Sequence, residues 1–286
     1  MNKTKLVVIH LTTENNWEVI LAFIKNTIFS AKWNSAFKNK SITSYITTAE
    51  YGDNGMVKGN TIKVSAISGI TVQDYVVGTE ISYDSLATTE IEVLMDKQKG
   101  VFVIVEDIDE VQTNLDVMNE VVYDGTNKLV KQVDTDVLAQ LTADAITNTD
   151  IIEYVNTGLT RDNVLDELLI PARTALNSVD APDEGRYLVV DPATEALIQG
   201  ADLTLSDAGL EKNLIGRTMG ISIYWSNDLP TGKMLAGVKE ASAFGASLSK
   251  VKTGASEAQV GDFLQIIEVY GSKVLKRAVF SISQAA

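Results

Sequence analysis

One run of apolar residues constrains the fold of this 286-residue chain more than any other feature. Between Glu106 and Ala143, apolar side chains recur at steps of three and four, the spacing of one face of an α-helix. The stripe passes a weak point at Gly125 and consists of Ile108, Val111, Leu115, Met118, Val122, Leu129, Val133, Val137 and Leu141. A continuous helix over this range would be about 57 Å long at roughly 1.5 Å per residue. We expect it to form a spine, because most globular domains need no helix of that length.

A pair of strands precedes this helix. Thr61 to Ile67 alternates polar and apolar side chains, with Ile62, Val64 and Ala66 expected to face inward, and Glu90 to Met95 alternates in the same way. The intervening Ser68 to Thr89 is rich in Val, Ile, Tyr and Thr, which favours a projecting two-stranded hairpin. A hairpin that stands alone is marginally stable in water, so we expect this one to rest on another molecule.

The remaining pattern alternates strands with short helices. A turn at Asp96 to Gly100 leads into Val101 to Val105, which is apolar on both faces and is expected to be a centrally buried strand. A helix over Arg161 to Val179 is expected to be capped by Thr160 and kinked by Pro171. The other predicted elements are strands at 186–190, 220–224, 234–238, 263–270 and 273–282, the last two joined by a tight turn at Gly271, and a short helix at 207–216. This order predicts an α+β protein whose termini return to one shared sheet.

The N-terminal segment has its own character. Glu14 to Trp33 predicts an amphipathic helix whose apolar stripe is Trp17, Ile20, Leu21, Ile24 and Ile28. Six lysines and two acids give residues 1–45 a charge of 6 − 2 = +4, so the other 241 residues carry −14 − 4 = −18. A basic arm on an acidic body suggests contact with a neighbouring subunit or an anionic surface; a solvated charged helix is an equally good interpretation.

No pattern in the sequence predicts catalysis, a metal site or a cofactor. The chain has no cysteine and a single histidine, His10, which lies in an apolar patch. The acids at 106–110 open a helix, where negative charge complements the helix dipole, and lack the spacing of a calcium loop. Gly216 to Gly220 precedes a strand instead of opening a helix, and the acids Asp180, Asp183 and Glu184 are typical of a solvated loop.

No signal peptide or membrane-spanning run is predicted. The apolar run after Met1 is broken within a few residues, and no stretch approaches the roughly 18 to 20 apolar residues that span a bilayer. We therefore expect a soluble protein made in a cytoplasm, and the acidic balance makes sequence-specific binding to nucleic acid an unfavourable interpretation.

Five stretches in register resemble the major capsid proteins of tailed bacteriophages. Gly59 to Val64 with Thr71 to Gly78 is similar to the segment that carries that family's extended loop, and Phe102 to Gln112 to the strand that enters its spine helix. Pro182 to Pro192 resembles the start of the axial domain. The series ends with Ile221 to Pro230 and Val269 to Val274.

The resemblance implies a division of the chain. The expected parts are an N-terminal arm (1–48), a peripheral-domain strand (49–66), an extended β-hairpin loop (67–90), the peripheral domain with its spine helix (91–160), the axial domain (161–237) and a return to the peripheral domain (238–286). Contacts between subunits are expected at Trp17, Ile20, Ile24, Tyr75 and Tyr83.

The resemblance also implies a structural role without catalysis or cofactor. Pentamers and hexamers of the chain would form an icosahedral shell around the double-stranded DNA of a tailed phage, which it would hold without sequence-specific binding and without a membrane. Because the arm begins almost at Met1, we expect a separate scaffolding protein, together with a portal protein, during assembly in the host cytoplasm. The acidic body is compatible with a DNA container, since a weakly repulsive lining does not trap the genome.

Some members of this family weld subunits through a lysine in the extended loop. Residues 67–90 contain no lysine, so we expect a shell without that cross-link.

Two other functions were weighed. An encapsulin, the shell of a bacterial nanocompartment, shares the fold but encloses an enzyme; the extended-loop and spine motifs favour the phage. An acidic hydrolase is disfavoured by the single histidine and the absence of a nucleophile elbow.

Overall fold

In the part of the chain that it describes, a computed structural model shows one long helix and three β-sheets. The structure describes residues 41–48, 61–68, 74, 87–106, 117–148, 151–154, 158–201, 205, 213–255 and 261–284. In chain order the elements are α1 (Thr43–Ile46), β1 (Thr61–Ser68), β2 (Ala87–Leu94), β3 (Lys97–Glu106), α2 (Val117–Thr147), β4 (Ile151–Tyr154), a π-helical stretch (Leu165–Leu169) continued by α3 (Ile170–Ser178), β5 (Arg186–Val190), α4 (Pro192–Gly200), β6 (Leu214–Thr218), β7 (Ile221–Trp225), β8 (Lys233–Val238), a 3₁₀ turn (Lys239–Ala241), β9 (Ser242–Ala255), β10 (Gly261–Val274) and β11 (Val279–Gln284). The predicted α+β class is confirmed.

The long helix α2 is the predicted spine. Its 31 residues make it about 46 Å long at roughly 1.5 Å per residue. It continues four residues past the predicted end at Ala143, and residues 107–116 lie outside the described range. The predicted stripe is buried where it is described, at Leu129, Val133, Val137 and Leu141. Gly125 lets the helix approach β3, because a Cβ there would lie 3.0 Å from the side chain of Val101.

The predicted strand pair is confirmed as an antiparallel ribbon of β1 and β2. Their register runs from Thr61 opposite Leu94 to Ser68 opposite Ala87. The side chains of Ile62, Val64 and Val93 are buried, while Lys63 and Glu92 on the other face are exposed. The ribbon is thus half-buried, and most of the hairpin predicted over Ser68 to Thr89 lies outside the described residues.

A three-stranded sheet has the order β3-β10-β9, with α2 packed on one face. The central burial predicted for 101–105 is wrong, because β3 is an edge strand and Phe102 is 63% exposed. The predicted turn at 96–100 is also wrong, since β3 begins at Lys97. So is the turn at Gly271: β10 runs through that residue to Val274 and pairs with β9, a strand that the sequence pattern did not reveal.

A six-stranded mixed sheet has the order β4-β11-β8-β5-β7-β6. Strand β11 is parallel to β4, and β5 is parallel to β7; the other neighbours are antiparallel. The predicted strand 186–190 is confirmed, the one at 220–224 is displaced by one residue, and the one at 234–238 begins one residue earlier, at Lys233. The helix predicted over 207–216 is wrong at its described end, where β6 begins at Leu214.

The predicted helix over 161–179 begins at Val164 and contains a π-helical stretch before Pro171. The π-helical stretch directly precedes this proline, where the Ile170 N–H donates to the Leu165 carbonyl, five residues back. At the predicted cap, the Thr160 carbonyl accepts the Val164 N–H at 3.1 Å, and the Asn163 side-chain oxygen accepts the Thr160 N–H at 2.6 Å, as the third helical residue does in a capping box.

The two larger sheets are joined by two short connections that lie side by side. The 3₁₀ turn leads from β8 to β9, and residues 275–278 lead from β10 back to β11. Across them, the Leu275 N–H donates to the Ala241 carbonyl at 2.7 Å and the Val238 N–H to the Ala278 carbonyl at 3.1 Å. The expected return of both termini to one sheet is therefore wrong: β3 and β10 share a sheet, but β1 and β2 form their own and β11 belongs to the six-stranded sheet.

Candidate assembly surfaces

A carboxylate of the long helix holds the described end of the predicted N-terminal arm. Asp134 is 4% exposed and accepts the hydroxyls of Ser41 at 2.5 Å and Thr43 at 2.6 Å, together with the Ile42 N–H at 3.1 Å. It thereby satisfies donors at the start of α1 that the short helix cannot pair internally. Ile42 and Ile46 are buried in the main core beside this contact, so α1 is part of the core.

Other polar side chains of α2 reach both larger sheets. Asp136 accepts the Tyr270 hydroxyl of β10 at 2.5 Å and lies 3.8 Å from the ammonium of Lys99 on β3. Asp144 accepts the Val274 N–H at 3.2 Å, and Lys131 lies 3.9 Å from Asp228 in the loop between β7 and β8. The helix is therefore linked to both sheets and to the base of the arm.

One carboxyl in this contact is buried and incompletely paired. Glu268 of β10 is 2% exposed, and within the described part of the chain its Oε2 has no hydrogen-bond partner. Burial raises the pKa of this carboxyl to about 7. Burial, and to a smaller extent the hydrogen bond to Asp136, also raises the pKa of Tyr270. The Tyr270 hydroxyl therefore stays protonated and donates to Asp136.

Two paired glycines carry the β1–β2 ribbon. Gly245 of β9 lies directly opposite Gly271 of β10. A Cβ at Gly271 would collide with the Leu94 carbonyl, and one at Gly245 with the Ile62 side chain. At this glycine pair the ribbon therefore approaches the backbone of the sheet closely.

The face of the three-stranded sheet opposite α2 is partly apolar and open. Phe102 is 63% and Ile104 is 37% exposed. The ring of Phe102 lies over Gly100, where a Cβ would be 2.8 Å from the ring. By register, Phe263 of β10 lies opposite Ile104, and Lys252 of β9 falls on the same face. This outer face, defined by Phe102, Ile104, Phe263 and Lys252, is a candidate surface for contact between copies.

The comparisons with known proteins settle the family. The model of the phage capsid protein family matches residues 70–279. This chain belongs to the phage capsid protein family. No curated protein matches it by sequence.

Solved structures agree with this assignment. A structure from Mycobacterium phage Che8 is 25% identical with a TM-score of 0.65 and aligns over 85% of this chain and 90% of its own. The capsid of the cyanophage P-SCSP1u is 19% identical with a TM-score of 0.62, over 84% and 85% of the two chains. A virus-like particle from Pyrococcus furiosus is 12% identical with a TM-score of 0.56, over 92% of this chain and 99% of its own. The protein is a major capsid protein of the tailed-phage type, and it forms the icosahedral shell of the virion.

The contact residues predicted for the capsid protein cannot be compared with the structure. Trp17, Ile20, Ile24, Tyr75 and Tyr83 all lie outside the described residues, so they stay predictions. The same holds for the helix predicted over Glu14 to Trp33, for His10 and for most of the acidic cluster at 106–110.

The structural interpretations of two other motifs agree with the structure. Gly216 to Gly220 ends β6 and turns into β7 through Met219 and Gly220, which have φ angles of 52° and 80°. The acids Asp180, Asp183 and Glu184 are exposed on a loop that the buried Arg186 holds by hydrogen bonds to the Pro182 and Ala181 carbonyls. Within the described ranges, no group of three or more acidic, histidine or cysteine side chains could hold a metal ion, and no helix is long and apolar enough to cross a membrane.

The sequence interpretation missed Phe102 and Glu268. Phe102 lies in a continuous apolar run, and such a run is typical of a strand in the centre of a sheet. The run alone therefore does not reveal that β3 is an edge strand. The signal for Glu268 was available, because it occupies an inward position of the alternation that also places Leu264, Ile266 and Tyr270 inside.

Proposed function

We propose that this capsid protein assembles as pentamers and hexamers around the double-stranded DNA genome of a tailed phage, as a structural protein without catalytic activity. Assembly would take place in the host cytoplasm with a separate scaffolding protein and a portal protein, and the DNA would be held without sequence-specific contacts. The family match and the likeness to phage capsid structures support this proposal. The observation that carries it is the open apolar outer face, which has the character of a surface covered in an assembly.

The division of the chain stays a proposal. Residues 1–48 would be the arm, 67–90 the extended loop and 161–237 the axial domain, with peripheral-domain segments at 49–66, 91–160 and 238–286. In the six-stranded sheet β4 pairs with β11, and β11 pairs with β8, which continues into β5 and β7 of the proposed axial domain. Any relative movement of the two proposed domains would therefore include β4 and β11.

The extended loop of a neighbouring copy is the occupant that we propose for the outer face. Residues 69–86 carry three acids, Asp74, Glu80 and Asp84, and no lysine or arginine. They are otherwise rich in Ile, Val and Tyr, and the outer face combines apolar side chains with the exposed Lys252. Apolar contact and opposite charge both favour this pairing. The two predicted contact residues Tyr75 and Tyr83 lie in this loop.

An acidic substitution in the outer face tests the contact. Phe102→Asp should leave a folded, soluble chain, because this side chain is mostly exposed, but should abolish shells in electron micrographs. Burying a phenylalanine contributes roughly 1.5–3 kcal/mol, and the loss recurs at every copy of the contact. Phe102→Leu keeps an apolar side chain and should still form shells. Regular shells from Phe102→Asp at the yield of the unchanged chain would contradict the proposed contact.

A nanocompartment shell is the second candidate, because the fold also matches the virus-like particle from Pyrococcus furiosus. The contents of purified particles distinguish the two. Nuclease-protected double-stranded DNA in particles made beside the neighbouring genes would support the phage shell. Particles that hold a co-purified enzyme and no DNA would favour the nanocompartment. A dispersed monomer, both when the protein is expressed alone and when it is expressed with the neighbouring genes, would contradict both functions.

A further inference from the structure

Glu268 occupies a joint between the central strand of a sheet and the long helix. Its side chain is on the inward face of β10, together with Leu264, Ile266 and Tyr270, beneath α2. The pairing of β10 with β9 shifts register between Ile267 and Glu268, so the ladder is irregular at this residue. A carboxyl with an unpaired oxygen is therefore buried where the sheet is least regular.

The charged and titratable groups around this carboxyl are few in the described part of the chain. From β3, Lys99 is directly opposite Glu268, but its ammonium lies 3.8 Å from Asp136. From α2 comes Asp136, which also accepts the Tyr270 hydroxyl. From β10 itself comes Tyr270, and β9 places Leu248 opposite Glu268 by register. Lys97 of β3 lies on the same face, and its ammonium donates to the Asp136 carbonyl at 3.1 Å. Both lysines that β3 places on this face therefore contact Asp136, so an ionised Glu268 would lack a cation of its own in the described part of the chain.

We propose that Glu268 makes the joint between β10 and α2 sensitive to protonation, so that helix and sheet hold each other more firmly in mildly acidic than in mildly alkaline solution. When protonated, the carboxyl is neutral and tolerates its buried site. When ionised, the carboxylate favours a local separation of β10 from α2 that admits water or that draws Lys99 away from Asp136. The proposal goes beyond the shell function and does not depend on the contacts proposed between copies.

The direction of the effect follows from proton linkage. The carboxyl has a pKa near 4.5 when solvated and about 7 in the folded chain, so the folded state binds more protons between these values. Stability must then fall as the pH rises through this range, with the penalty absent below it and complete above it. This is the reverse of the usual behaviour of a paired carboxylate.

Hydrogen exchange of the full chain tests the joint. Between pH 5.5 and pH 8, after correction for the intrinsic chemical rates, the amides of β10 and of α2 around Asp136 should exchange about tenfold faster at the higher pH. Glu268→Gln keeps the shape and removes the titration, so the excess acceleration should vanish. Glu240→Gln, which neutralises an exposed glutamate next to β8, should behave like the unchanged chain.

Each outcome decides the proposal. The same acceleration in Glu268→Gln as in the unchanged chain would overturn it. If that variant fails to fold, the unchanged chain still decides, because the absence of any acceleration in β10 overturns the proposal equally. The measurement is made on the soluble chain and repeated on shells, so a failure of assembly would leave the result interpretable.

Discussion

Single carboxylates on α2 link distant parts of the chain. Asp134 holds residues 41–43, and Asp136 and Asp144 hold β10. Their partners are about 91 to 134 positions away in sequence. No local pattern distinguishes such residues from the solvated acids of an exposed helix flank, which is why these contacts had to come from the structure.

Removing the Asp134 carboxylate should destabilise the protein strongly. Asp134→Ala leaves the buried donors of Ser41, Ile42 and Thr43 without their acceptor, and we expect a loss of about 2–4 kcal/mol in the free energy of unfolding. Chemical denaturation measures the loss, and limited proteolysis should show faster cleavage near residue 41. Asp124→Ala is the control: its ion pair with Lys128 is exposed, so the change should stay within about 0.5 kcal/mol. Equal losses of unfolding free energy in the two variants would contradict a stabilising role for the hydrogen bonds of Asp134.

At the scale of elements, the glycine pair Gly245 and Gly271 explains one wrong prediction. Glycine inside a polar-flanked strand pattern is read as a turn, whereas here it allows the β1–β2 ribbon to approach the sheet. The same local sequence can form a turn or a continuous strand. Only the position of β2, some 180 residues earlier in the chain, decides between the two.

A methyl group at Gly271 should displace the ribbon. Gly271→Ala places a Cβ against the Leu94 backbone, which cannot move without its strand, so we expect a loss of about 1–3 kcal/mol and faster proteolysis of the extended loop. Gly254→Ala is matched to it, because this glycine lies in β9 of the same sheet and its added Cβ would meet Phe263 at an ordinary 3.4 Å. That control should be neutral or slightly stabilising. Thermal unfolding compares the two, and equal midpoints would contradict a close approach at Gly271.

Elements with strong local signals were predictable. The long helix follows from its periodicity, and β5, β7 and β8 from short apolar runs between turn residues. Helix α4 was missed although Asp191 caps it, its side chain accepting the Thr194 N–H, and Pro192 opens it. Strand β9 was missed because Ser, Gly and Lys are frequent in it, and its pairing with β10 supplies the stability that its composition does not.

At the scale of the whole molecule, the family could be predicted from motifs in register, and the division into sheets could not. Strands β10 and β11 are separated by four residues yet belong to different sheets, since pairing depends on partners far away in sequence. The arm and loop contacts of the assembled shell lie outside the described residues and stay predictions.

Assembled shells should come apart into single chains in hot SDS. Residues 67–90 contain no lysine, so the loop has no amine to bond to a neighbour. We expect one band near 31.0 kDa on a denaturing gel. A ladder of heavier bands that persists after boiling would contradict a shell without covalent bonds between subunits.

The two short connections between the larger sheets have a mechanical consequence. The two connections lie side by side and are joined by hydrogen bonds between residues 241 and 275 and between residues 238 and 278. Such a pair should resist twisting of one sheet against the other more than it resists a bend between the sheets. The long helix packs against both sheets, so it contributes to the angle between them. A bend at these connections would change the angle between the two sheets while every strand keeps its neighbours.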